Sequence, residues 1–147
     1  KKLIDKTKNV KFDIYGIDKV QPIWADHYFK TISNAKMGLN LSRGEAIKYY
    51  SSDRITQIIG NGLVTLIDEK TCYGDFFDDT EMVFYKNITD LSEKIEKISE
   101  DEKLRKTIGQ KGKTKYMKYF NSTLVADFII NKTFEINSTK KYLWHKP

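Results

Sequence analysis

One run, "LVTLI" (Leu63 to Ile67), constrains this chain more than any other stretch. It is apolar without alternation, Gly62 precedes it and Asp68 closes it. A strand with one face in water alternates apolar and polar residues. A continuous apolar run signals a strand buried on both faces, as in parallel sheets covered by helices on each side.

The neighbouring segments supply the expected partners. "VKFDIYG" (Val10 to Gly16) reads as a strand ending at glycine, and Ile17 to Trp24, with Pro22, reads as a loop. Asp26 is placed to cap a helix reaching about Asn34, with Tyr28, Phe29 and Ile32 on its apolar side. "KMGLNLS" (Lys36 to Ser42) reads as a second strand. Ser51, Ser52 or Asp53 can cap a short helix carrying Ile55, Ile58 and Ile59, which Gly60 and Gly62 end. "MVFY" (Met82 to Tyr85) is a further short strand. Thr89 opens a helix with Leu91, Ile95 and Ile98. Ser99 and Glu102 form a capping box for a helix running to Phe120. A last helix from about Ser122 sets Leu124, Val125, Phe128 and Ile129 on one face. Strands alternating with helices imply βαβ crossovers: a Rossmann-like α/β domain of three layers, its parallel sheet flanked by helices.

A chain of 147 residues suits a single domain burying roughly two-thirds of its unfolded surface, with residues 136–147 as a tail. It opens Lys-Lys rather than with Met, so it reads as a piece of a longer protein, a processed or cleaved start being the alternative. No apolar run nears the ~20 residues of a membrane span, and a cytoplasmic setting is expected, with the inner face of the membrane as an alternative within it. Cys72 stands alone, which excludes an internal disulfide, and the two histidines, His27 and His145, suggest no metal site. The formal charge of +6 raises nucleic acid as a partner. The lysines read instead as solvated helix faces interleaved with glutamates, so no nucleic acid is expected. Five Asn-x-Ser/Thr triplets, starting at Asn40, Asn87, Asn121, Asn131 and Asn137, reflect an Asn- and Lys-rich composition.

Of the 26 Lys+Arg only three are arginine, and two of them, Arg43 and Arg54, lie close together in "NLSRGEAIKYYSSDRITQ". Arginine is used where a planar fork is needed, as for a phosphate or carboxylate. Ligands of parallel sheets bind at the carboxyl ends of the strands, and this stretch lies there. A helix start offers free N–H groups and the positive end of its dipole. Arg43, Gly44, Ser51, Ser52 and Arg54 could together hold a diphosphate. Tyr49 and Tyr50 offer stacking faces or phenol donors, and Gln57 could reach a ribose or sugar hydroxyl. Each also has a plain structural use: Arg43 pairing with Glu45, the serines capping, the tyrosines packing on the sheet rim, Arg54 pairing with Asp53.

The segment "KMGLNLSRGEAIKYYSSDRITQIIGNGLVTLID" resembles the C-terminal domain of group 1 glycosyltransferases, in particular the spore-maturation-protein-like branch. A strand ending in Asn-x-x-Arg, a Ser-x-Arg helix start and a glycine before an apolar strand carry the likeness. "FDIYG", "FYKNITDLSEKI", "LRKTIGQKGKTKYMKYFN" and "VADFIINKTF" extend it over most of residues 10 to 135. The resemblance implies the donor-binding half of a two-domain GT-B enzyme. The partners would be a nucleotide-sugar donor, a separate N-terminal domain supplying the catalytic base, and a glycan, lipid or protein acceptor. No catalytic residue is then expected in this chain. Arg54 matches the arginine opening the donor-site helix. Gln57 stands where many members have the second glutamate of Glu-x7-Glu, and Tyr49 stands where the first would be, with Glu45 nearby. Tyr15 and Gly16 are candidates for the nucleotide edge.

There is no Asp-x-Asp, and "DFFDD" (Asp75 to Asp79) reads as an acidic surface turn with Phe76 and Phe77 buried. Neither metal nor cofactor is expected, the nucleotide sugar being substrate. A response-regulator receiver would need acidic residues at the end of the first strand, where Tyr15 and Gly16 stand. A non-catalytic interaction module derived from a transferase half remains the second reading.

Overall fold

The computed structural model describes residues 2–41, 44–50 and 52–145. Its elements run α1 (Lys2–Lys6), α2 (Ala25–Asn34), β1 (Met37–Asn40), α3 (Asp53–Gly60), β2 (Val64–Asp68), β3 (Val83–Tyr85), α4 (Ile88–Glu100), α5 (Glu102–Tyr119) and α6 (Ser122–Thr133). The three strands form one parallel sheet in the order β1-β2-β3, with Leu39 opposite Leu66 and Leu66 opposite Val83.

β2 is the central strand, and its side chains serve both faces. Val64 and Leu66 join Val83, Tyr85, Leu91, Ile95, Ile98 and Ile108 in one buried cluster. Ile67 joins Ile55, Ile59, Tyr73, Phe76, Phe77 and Met82 in another. The strand expected to be covered twice is therefore covered twice, by α4 on one side and α3 on the other. Gly38 admits α3 to the sheet, since a Cβ there would lie 2.6 Å from Ile58. Between β2 and β3 the crossover has no α-helix. Two single 3-10 turns, Glu69–Thr71 and Tyr73–Asp75, carry Tyr73, Phe76 and Phe77 inward in its place. The acidic turn thus hides its phenylalanines and exposes Asp75, Asp78 and Asp79, as the sequence pattern implies.

Helix α5 crosses the amino ends of the strands. A Cβ on Gly109 would meet the Gly62 carbonyl oxygen at 2.1 Å, just ahead of β2. One on Gly112 would meet that of Glu81 at 2.2 Å, just ahead of β3. Two glycines inside an 18-residue helix each cost about 1 kcal/mol against alanine, and contact between backbones offsets that cost. At the other extremity, Tyr142 is buried and Leu143 and Trp144 pack on the second cluster. Tyr142 donates to Asp127 Oδ2 at 2.7 Å, and Lys140 pairs with the same carboxylate at 2.8 Å.

Several local expectations are corrected. Residues 10–16 form no strand. Val10 and Phe12 do pack on the first cluster, while Lys11 and Asp13 pair with each other at 3.0 Å in solvent, so alternation here reflects burial without a ladder partner. Helix α2 starts at Ala25 behind Trp24 and has no side-chain cap, so Asp26 lies in its first turn. α4 is capped by Asn87, whose Oδ1 accepts from the amides of Thr89 and Asp90. α5 is capped by Asp101, which accepts from the Leu104 amide. Ser99 instead donates to the Glu96 carbonyl, and no box forms with Glu102. The expected apolar face of α6 splits: Leu124 and Phe128 are half-buried, and Val125 and Ile129 are exposed. Helix α1 has no counterpart in the sequence reading. It is fixed by Thr7, whose hydroxyl bonds to Leu3 O and to the buried Ser92 hydroxyl, each at 2.9 Å.

Gly109→Ala and Gly112→Ala should each lower stability by about 2–3 kcal/mol through overpacking. Gly74→Ala, where a Cβ meets nothing within 4 Å, should be close to neutral. Urea unfolding midpoints at constant m-value test this, and equal midpoints for all three variants would contradict the packing account.

Candidate functional site

The carboxyl end of β1 and the start of α3 come together through two side chains. Ser52 precedes α3 in an extended conformation, and its Oγ donates to Oδ1 of Asn40, the buried last residue of β1, at 3.3 Å. Arg54, in the first turn, donates from Nη1 to the Leu41 carbonyl at 2.7 Å. Because Ser52 is turned to Asn40, it does not cap the amides of α3, and the first-turn N–H groups receive no side-chain acceptor from it. The Leu41 bond engages one of the five donors of the guanidinium. Asp53 is the acid of this first turn. Gln57, one turn further, is half-buried, and its carbonyl accepts from Asn61 at 2.7 Å.

Arg43 and Ser51 lie outside the described residues. Gly44, Glu45 and Tyr50 are exposed on the connecting loop; Gly44 adopts a φ of 79°, which favours glycine, and the Tyr50 amide donates to Ile47 O at 3.1 Å. Tyr49 fixes the loop. Its φ of 57° is unusual for a bulky residue, and its amide donates to Thr71 O at 2.8 Å. Its ring lies 4.9 Å from that of Phe76, and its hydroxyl donates to Asp75 Oδ2. That hydrogen bond, followed by partial burial, holds the Tyr49 phenol above its ordinary pKa. Tyr49 therefore faces the β2–β3 crossover, the sheet-rim packing that its sequence position left open.

Along the same edge, Asp68 ends β2 and accepts from the Lys70 amide at 2.9 Å. Tyr85 ends β3, and burial, then the Asp68 carboxylate, pushes its phenol up. Tyr15 and Gly16 belong to a separate turn: the Gly16 amide donates to Val20 O at 3.1 Å, and Tyr15 meets His27 edge-on at 6.1 Å.

A family model described as glycosyl transferase-like matches residues 1–131. The chain belongs to the glycosyl transferase-like family. No curated protein and no solved structure matches it. The fold agrees with the family: a mixed α/β, Rossmann-like domain with a parallel sheet and helices on both faces. Among the described residues no helix is long and apolar enough to cross a membrane, and no group of three or more His, Cys, Asp or Glu is placed to hold a metal ion.

Two contacts of this junction escaped the sequence reading. Asn40 was legible as the first residue of Asn-x-x-Arg, but its burial and its hydrogen bond from Ser52 were not. Asp75, read as part of a surface turn, anchors Tyr49. Asn40→Ala should cost about 1–2 kcal/mol, because a part-buried hydroxyl loses its acceptor. Arg54→Ala, at an exposed position, should change stability by no more than about 0.5 kcal/mol. Chemical denaturation of both variants checks the contrast. A large loss in Arg54→Ala would make that arginine a structural tie.

Proposed function

We propose that this chain is the donor-binding part of a glycosyltransferase, gripping the diphosphate of a nucleotide sugar between the carboxyl end of β1 and the start of α3. The observation that carries the reading is Arg54, anchored on the Leu41 carbonyl beside first-turn amides that Ser52 leaves uncapped. A pyrophosphate placed there meets backbone N–H groups, the positive helix end and a guanidinium fork together. As the glycosidic bond to the diphosphate breaks, negative charge grows on the leaving oxygen, and these groups are already oriented to receive it. Arg43, Gly44, Ser51 and Ser52 complete the phosphate cradle in this reading. Tyr50 and Glu45 edge the sugar, and Gln57 reaches ribose or sugar hydroxyls. The turn of Tyr15 and Gly16 would border the nucleotide.

The family relationship supports a transfer reaction in which acceptor and catalytic base come from a second, N-terminal GT-B domain. The acceptor would be a glycan, a lipid or a protein, and the setting the cytoplasm. On this account the chain binds donor and does not catalyse transfer alone. A non-catalytic module derived from such a half is the second reading, and one observation favours it: Tyr49, where related enzymes place a glutamate, is turned to Asp75.

Thermal unfolding against UDP-, GDP- and dTDP-sugars tests the proposal. A ligand at about 100 times its dissociation constant adds roughly 2.7 kcal/mol. For this chain length that raises Tm by about 5 °C. One nucleotide class should produce the shift, Arg54→Ala should abolish it, and a CMP-sugar, with a single phosphate, should do little. A shift untouched by Arg54→Ala would place the donor elsewhere. No shift with any sugar, in this chain and in a form carrying the N-terminal domain, would favour the non-catalytic module.

A further inference from the structure

The lysines are not spread as their sequence order suggests. Helix α4 holds four acids (Asp90, Glu93, Glu96 and Glu100) against Lys94 and Lys97. Helix α5 holds seven cations against one acid, Glu102, so its excess of six equals the whole formal charge of the chain, +6. Some of these cations are engaged. Arg105 donates to the Ile98 and Ser99 carbonyls at the end of α4, and Lys115 pairs with Glu81 at 2.6 Å. Lys106 pairs with Glu102 in solvent, also at 2.6 Å.

Lys111 reaches the Thr80 hydroxyl at 3.5 Å and Lys118 lies 4.9 Å from the centre of the Tyr119 ring, yet both stay exposed and with Lys103 and Lys106 form a cationic face. Thr107, Gln110, Thr114 and Met117 are exposed at helical spacing and form an uncharged ridge. Lys106 flanks it on one side, Lys111 and Lys118 flank it on the other, and Lys103 opens it; all four lysines are exposed. Directly after this helix, α6 leaves Val125, Ile129 and Ile130 in solvent at 40%, 56% and 50% exposure.

We propose that α5 docks the protein on an anionic lipid bilayer, its lysines meeting the phosphates of the headgroups. Charge complementarity selects the class of partner, and residue type selects within it. The exposed cations of this face are all lysine, compact charges on long apolar stems suited to a diffuse plane of phosphates. The helix's one arginine is used internally, and no aromatic ring stands on the ridge to stack a base, as single-stranded nucleic acid would require. The exposed apolar residues that follow suit the interfacial region of a membrane. α5 crosses the amino ends of β2 and β3, whereas the candidate site lies at the carboxyl end of β1, so a docked molecule keeps that site clear of the membrane.

Co-sedimentation of the 147-residue chain with vesicles tests this, using phosphatidylcholine alone and phosphatidylcholine with about one-third phosphatidylglycerol. Each lysine near such a surface contributes about 1 kcal/mol. The K103Q/K111Q/K118Q variant should therefore partition about a hundredfold less onto anionic vesicles, with an unchanged melting temperature. Binding of the unaltered chain should weaken from 50 to 500 mM salt, by screening (roughly a Debye length of 14 Å falling to 4 Å). The proposal is overturned by failure to bind anionic vesicles, by equal binding to neutral ones, by a triple variant that binds as well as the parent, or by tighter binding to RNA or DNA than to vesicles.

Discussion

A central strand without a solvent face has to be covered twice, and β2 imposes that requirement here. Val64 and Leu66 need α4, Ile67 needs α3 and the aromatic crossover, and Thr65 between Val64 and Leu66 is buried with a hydroxyl that has no hydrogen-bond partner among the described residues. Once both faces are filled, α3 must begin at the carboxyl end of β1 and end beside the entry to β2. The meeting of Asn40, Leu41, Ser52 and Arg54 is a geometric result of that crossover. The positions that could bind a phosphate are thus set by the burial of residues that touch no ligand.

The backbone contacts of α5 secure the opposite end. Gly109 and Gly112 bring the helix against the turns that feed β2 and β3, which fixes where those strands start and hence where they finish. The same placement turns the lysine side of α5 outward. Charge concentration and strand positioning are therefore two properties of one helix, separated by its two faces. A substitution on the exposed face leaves the packing face intact, and the two roles can be measured apart.

Much of this was legible in the sequence, for reasons that differ by element. The two-faced burial of β2 and the inward Ile55, Ile58 and Ile59 of α3 follow from local patterns with one packing solution. The Val10 to Gly16 segment misled because alternation reports which side chains are buried and does not report whether a neighbouring strand is there to pair. The cap assignments slipped by one or two residues, since Asn87, Thr89, Ser99 and Asp101 all offer a suitable oxygen and only backbone geometry chooses among them. The lysines were read along the chain, where α4 glutamates and α5 lysines average out; grouped by helix, they do not. At the candidate site, Arg54 and Ser52 were found from residue type. Leu41, which anchors Arg54, was not, because a backbone carbonyl has no sequence signature; Asn40 was visible as the first residue of Asn-x-x-Arg, but its side-chain contact with Ser52 was not.

If the β1–α3 junction receives a nucleoside diphosphate, its backbone amides must respond to one. The most direct measurement is a titration of the isotopically labelled chain with UDP, GDP and dTDP, followed by backbone amide resonances. The account predicts saturable shifts with one of the three, concentrated in residues 44–57 and largest at the amides of the first turn of α3. Saturable shifts centred on α5, on α6 or on the Tyr15 turn, with the α3 amides unmoved, would contradict it.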